Sequence, residues 1–115
     1  MLNQAVLVGR IVREPEIKEL ENGSKVSNIT LAVPRSFKNE LGEYDTDFVD
    51  CTLWQGVAEN TAEYCRKGDI LGVKGRLETS IDQIDDKKIK KMNLVAEKVT
   101  FLSSKSKEKD QENEI

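Results

Sequence analysis

The sequence predicts an all-β domain with one short helix, its elements in the order β-β-β-α-β-β. Three observations carry this. Five separate runs are β-rich, either apolar throughout or alternating with a period of two. A helical period occurs once, between the third and fourth of those runs. Pro, Gly and Asn-Gly signals punctuate the joins. At 115 residues the chain fits one domain with one core.

Residues 5–12, AVLVGRIV, form an apolar run interrupted by Gly9 and Arg10. This is the pattern of a strand buried on both faces for part of its length, and Gly9 marks a bulge or tight bend. Pro15 breaks the chain, and Asn22-Gly23 signals a hairpin turn because both residues tolerate positive φ. Residues 26–34, VSNITLAVP, alternate, with Ile29, Leu31 and Val33 on one face and Asn28, Thr30 and Ala32 on the other. Pro34 has no ladder donor, so the strand ends or bends there. The chain turns at Gly42 into the third strand, residues 46–55.

Residues 57–67, VAENTAEYCRK, bring Ala58, Thr61, Ala62 and Cys65 to helical spacing. Glu59 near the start, Arg66 and Lys67 in the last turn, and Gly68 just beyond suit the helix dipole and a C′ position. The fourth strand, DILGVKGRLET, puts Leu71, Val73 and Leu77 on one face and Lys74, Arg76 and Glu78 on the other. Residues 82–88 read as a turn, and IKKMNLVAEKVTFL as the fifth strand. The folded domain is thus expected over 1–102. Residues 103–115, SSKSKEKDQENEI, have the composition of a flexible charged tail.

One short helix between the third and fourth of five strands is the layout of the OB-fold, a five-stranded Greek-key barrel whose ligands lie across strands two and three. An SH3-like barrel or a split β-sandwich is the alternative arrangement.

Composition narrows the function. No apolar stretch approaches a membrane span, and MLNQAVLVGR lacks the features of a signal peptide, which points to a cytoplasmic protein with no membrane partner. Cys51 and Cys65 read as reduced, buried, small apolar side chains. The chain has no His, so neither a zinc site nor the usual general base is expected, and no metal or other cofactor is called for. No phosphate-cradling Gly loop or nucleophile–base dyad occurs, and Asp45, Asp47 and Asp50 read as surface carboxylates at a strand entry. The expectation is a protein without catalytic activity. Net charge is −3, with three lysines against four carboxylates in the tail, so any basic surface must be local.

The informative stretch is 35–54, RSFKNELGEYDTDFVDCTLW, which holds four of the six aromatics. Val49, Cys51 and Leu53 share one parity. Phe48 and Trp54 share the other with Asp50 and Thr52. Large rings on a polar face have three explanations: misjudged core, subunit interface or ligand stacking. Phe37 follows just after Pro34 and is flanked by Arg35 and Lys38, while Lys74 and Arg76 point outward from the fourth strand. Rings interleaved with cations on an OB sheet face form a platform for single-stranded nucleic acid: bases stack on the rings and cations follow the phosphates.

These segments also resemble the bacterial and phage single-stranded DNA-binding proteins. The resemblance is carried by MLNQAVLVGRIVREPEI, NGSKVSNITLAVPRSFKN, TDFVDCTLWQGVAENTAEYCRKGDILGVKGRLET and LVAEKVTFL, and it covers about residues 1–102. It implies an OB-fold that assembles, usually as a homotetramer, and wraps single-stranded DNA without sequence preference. The family's stacking aromatics fall on Phe37, Phe48 and Trp54, and its basic positions on Arg10 and the pair Arg66-Lys67. The implied role is protection and presentation of single strands in replication, recombination and repair, with replication or recombination proteins as further partners. The sequence departs from the family where it usually carries basic residues and an aromatic in the last hairpin. Here that region reads ETSIDQIDD, with no ring from 77 to 91. The cluster KKIKK at 87–91 offers positive charge instead. The chain ends KDQENEI, where longer members carry an acidic tip ending in Pro-Phe. The missing ring in the last hairpin and the negative net charge leave an OB-fold interaction subunit similar to a primosome component as the alternative.

Overall fold

The computed structural model describes residues 1–103. Six strands and one helix follow in order: β1 Ala5–Ile11, β2 Lys18–Glu19, β3 Lys25–Lys38, β4 Tyr44–Trp54, α1 Gln55–Tyr64, β5 Ile70–Ile84 and β6 Lys87–Ser103. The sheet runs β1-β5-β6-β4-β3-β2, and a further β1–β3 pairing closes it into a barrel of five long strands. Every pairing is antiparallel except β4–β6, where Cys51 meets Leu94 and Thr52 meets Val95 in parallel. This is the expected OB barrel. The two-residue β2 lies outside the five predicted strands, but the hairpin it makes with β3 is the one signalled at Asn22-Gly23. It exists because the Asn22-Gly23 turn forms: Leu20 N donates to Ser24 O at 2.8 Å and Ser24 N to Asn22 Oδ1 at 2.9 Å.

The core is the inward parity of each strand. Ile11, Ile29, Leu31, Cys51, Leu53, Leu71, Val73, Leu94 and Ala96 pack with Ala58 and Cys65 from the helix and its end. Both cysteines are fully buried, and burial pushes their thiols up to about 11 for Cys51 and about 12 for Cys65. Gly75 sits where β5 shifts register against β6. A Cβ there would lie 2.0 Å from Val95 O, so the strands can cross this closely only at a glycine.

Several sequence expectations are corrected. β1 is buried on one face only: Val6 is 67% and Val8 53% exposed, because a single barrel wall covers one parity. Of the two outcomes expected at Pro34, an end or a bend, the strand does not end but turns irregular there. β3 continues to Lys38 after a register shift, and with β4 it forms an arm beyond the barrel. The helix lies nearer the N-terminus than its charge pattern suggested, and no basic residue falls in its last turn. Arg66 still serves the helix end from outside it, its guanidinium donating to the carbonyls of Ala62, Glu63 and Cys65. Gly68, at φ 94°, belongs to the turn after the helix, where its N–H donates to Ile11 O at 2.8 Å. Residues 82–88 are mostly strand: β5 runs to Ile84, a two-residue turn at Asp85-Asp86 follows, and β6 starts at Lys87. Lengthening both strands carries the hairpin past the barrel, which leaves Leu77 41% exposed rather than in the core. β6 takes in Ser103, and the rest of the predicted charged tail lies outside the described residues.

Candidate nucleic-acid interface

The outer face of β3 and β4 is a ladder of directly opposed pairs. In order along β4 these are Val26–Trp54, Asn28–Thr52, Thr30–Asp50, Ala32–Phe48 and Pro34–Thr46. Directly opposed residues share a face. Arg10 pairs with Ala32 from the other side, so Arg10, Ala32 and Phe48 form one row across three strands. The same register puts Ile11, Leu31 and Val49 in the row beneath, facing inward. The parity read from the sequence therefore holds: Phe48 is 66% and Trp54 41% exposed, while Cys51 and Leu53 are fully buried.

Between the two rings the floor is polar. Trp54 lies six positions along β4 from Phe48, about 20 Å. Asn93 Nδ2 donates to Thr52 Oγ1, and Thr52 Oγ1 donates to Asn28 Oδ1 at 3.0 Å. Arg13 Nη2 donates to Thr30 Oγ1 at 2.9 Å, and that hydroxyl donates to Asp50 Oδ1 at 2.8 Å. Together with Lys91 these side chains line a groove of about 600 Å3. Lys91 reaches Asp82 at 2.7 Å, and this bond holds its ammonium above the ordinary lysine range. Sequence pattern alone does not single out Arg13, Asn28, Thr52 and Asn93. Asn28 and Thr52 carry a usable signal, since both fall on the outward parity; Asn93 arrives only through the parallel β4–β6 pairing.

The third predicted ring, Phe37, is 63% exposed and lies in the irregular stretch of β3 between Pro34 and Lys38. It belongs to the arm rather than the barrel face. The arm is internally braced. Arg35 forks onto Asp47, with Nη2–Oδ1 at 3.0 Å and Nε–Oδ2 at 3.2 Å, and reaches Asp45 at 3.8 Å. The fork raises the Arg35 guanidinium and holds the Asp47 carboxyl below the ordinary carboxylate range. Asp45 and Asp47 lie on the opposite parity of β4 from Phe48, so this clamp faces away from the ring.

The predicted cations are dispersed. Arg10 Nη1 donates to Gly68 O at 2.6 Å, Arg66 caps the helix, and Arg76 pairs with Glu78 at 2.7 Å. Lys74 stands exposed on β5 opposite Val6. Lys67 is exposed in the turn after the helix, where its backbone N–H donates to Glu14 Oε1 at 3.0 Å. Lys38 lies over the Tyr44 ring, its Nζ 5.8 Å from the centroid. Among the described residues no group of three or more His, Cys, Asp or Glu side chains could hold a metal, and no helix is long and apolar enough to cross a membrane. An apolar depression of about 500 Å3 lies elsewhere, between Tyr64, Phe101 and Leu102, and none of the predicted site residues lines it.

Comparison with known proteins places the chain in a family and agrees with the barrel fold. The model of the single-strand binding protein family matches residues 2–102. Single-stranded DNA-binding protein B of Bacillus subtilis is 44% identical over 110 residues, covering 95% of this chain and 97% of its own. A single-stranded DNA-binding protein of Halalkalibacterium halodurans is 46% identical over 103 residues, covering 89% of this chain but only 61% of its own. Among solved structures, the Plasmodium falciparum SSB complex with ssDNA superposes with a TM-score of 0.80 at 27% identity, over 90% of this chain and 96% of that one. With a family match over nearly the whole described length, the chain belongs to the single-strand binding protein family.

Proposed function

We propose that this protein binds single-stranded DNA without strong sequence preference and without catalysis, in the cytoplasm, protecting the strand and presenting it to replication, recombination and repair factors. The observation that carries the reading is the outer face of β4, where Phe48 and Trp54 stand exposed at either end of a hydrogen-bonded polar floor. Stacking on a ring contributes on the order of 1–3 kcal/mol per base and is indifferent to which base is present. The polar floor between the rings can meet base edges or bridging water. Phe37 supplies a third platform from the arm. Among the cations, Lys38, Lys67 and Lys74 are the leading phosphate contacts. Arg10, Arg35, Arg66 and Arg76 hold protein groups here and contribute to the extent that they exchange them for phosphate.

The protein acts as a homo-oligomer, with a tetramer as the family's usual form. The exposed Val6 and Val8 make an apolar outer face on β1. Among the described residues β1 pairs with β3 only at Arg10 and Ile11, so its edge over Ala5–Val8 on that side has no strand partner. An apolar face beside an unpaired edge suits a symmetric contact with a second copy.

One observation favours a second reading, an interaction subunit whose DNA binding is secondary. The projecting β5–β6 hairpin has no ring from 77 to 91 and instead exposes Ile81 at 68%, Met92 at 63% and Ile84 at 53%. Fluorescence anisotropy of a labelled oligo(dT) separates the two. Saturable binding that unlabelled single strand competes away and duplex does not is the expected outcome. A failure of oligo(dT) to bind would leave the interaction-subunit reading.

A further inference from the structure

The β3–β4 arm carries a ring outside the three predicted platforms. Tyr44 is 56% exposed and shares the outward parity of β4 with Phe48 and Trp54. It lies four positions from Phe48, about 13 Å along the strand. It stands directly opposite Lys38, whose ammonium lies 5.8 Å over the ring. The carboxylates nearest to it along β4, Asp45 and Asp47, sit on the other parity, and Arg35 engages both. The turn beyond is also fixed. Asn39 Oδ1 accepts from Leu41 N at 2.9 Å and Glu43 N at 3.0 Å, while Asn39 Nδ2 donates to Asp45 Oδ1 at 3.1 Å. Tyr44 is therefore presented on a braced hairpin, so little conformational freedom is lost when something lies against it.

We propose that Tyr44 and Lys38 form a further single-strand platform, on which a base stacks against the tyrosine ring while its phosphate meets the lysine ammonium. The proposal rests on the reading of the β4 face as a DNA surface, and it extends the strand's path from the barrel onto the arm. A ring takes a base on its open face, and a cation at an exposed site is held by a ring only weakly, so Lys38 can turn toward a phosphate at small cost. The arm thereby supplies a stacking position in a chain whose β5–β6 hairpin offers no ring between 77 and 91.

Two measurements test this. In the first, oligo(dT) carrying 5-iododeoxyuridine is photocross-linked to the unaltered protein and the modified peptides are mapped; a cross-link at Tyr44 is expected. In the second, oligo(dT) affinity and its salt slope are compared for wild type, Tyr44→Leu, Tyr44→Phe and Phe48→Ala. Tyr44→Leu should weaken binding about fivefold or more with the slope little changed, and Tyr44→Phe should stay within about twofold of wild type. If Phe48→Ala weakens binding while Tyr44→Leu binds like wild type and no cross-link reaches Tyr44, this proposal is overturned and the DNA-binding reading stands. If wild type does not bind, or Phe48→Ala leaves binding unchanged, the β4-face reading fails and this proposal fails with it.

Discussion

A ring and an ammonium on this surface act through different physics, and substitution separates them. Stacking on Phe48 involves no counterion, whereas a phosphate neutralised by Lys74 releases one. Phe48→Ala is therefore expected to lower oligo(dT) affinity about fivefold or more with the salt slope nearly intact. Lys74→Ala should reduce the slope of log affinity against log salt by about 0.7, the share of the single phosphate that this lysine neutralises. Anisotropy titrations at several salt concentrations measure both. If Phe48→Ala flattened the slope as much as Lys74→Ala, the division of labour between rings and cations would be wrong. Arg35 has a structural task beside any phosphate contact. Its fork to Asp47 is solvent-exposed and braces the arm.

At the scale of elements, much of the site is legible in the sequence because a strand's period is rigid. Once Val49, Cys51 and Leu53 are inward, Phe48 and Trp54 have to be outward. Tyr44 follows the same parity, but local pattern begins the third strand only at residue 46 and so leaves this ring in a turn. Local pattern also misses anything set by register between distant strands. The extension of β5 and β6 past residues 82–88, the exposure of Leu77 and the reach of Asn93 to Thr52 depend on pairings that it does not encode. The helix shift has a related cause. Charge order favours an end at Arg66-Lys67, but the chain has to leave the helix early to bring Gly68 N to Ile11 O and Ile70 into β5. Gly75 gives the sharpest test of the hairpin's geometry. A Cβ there meets the Val95 backbone at 2.0 Å, which no rotamer change relieves. Gly75→Ala should cost about 2 kcal/mol or more, a drop of roughly 8 °C or more in Tm for a domain of this size. An unchanged melting curve would mean that β5 and β6 do not cross as described.

For the whole molecule, the question is how a chain with net charge −3 holds a polyanion. One barrel offers a few rings and scattered lysines, which is a weak site. Several barrels joined rigidly make each successive binding step intramolecular, and avidity rises although each barrel binds as before. The exposed Val6–Val8 face, beside a β1 edge with no strand partner among the described residues, is the surface proposed for that assembly. Light scattering across micromolar concentrations should give a mass several times the 13.0 kDa of one chain. A mass that stays at one chain would remove the wrapping mechanism and leave only short-range stacking.

The central claim is that the outward rings of β4 meet DNA, and Trp54 reports on it directly as the sole tryptophan. Its intrinsic fluorescence should be followed while oligo(dT) is added, with a gel shift run on the same samples. Stacking of a base on the indole predicts saturable quenching of most of the emission, at the same stoichiometry as the shifted band. A shifted band with unchanged Trp54 emission would contradict the account, because the strand would then be bound somewhere other than the face built here.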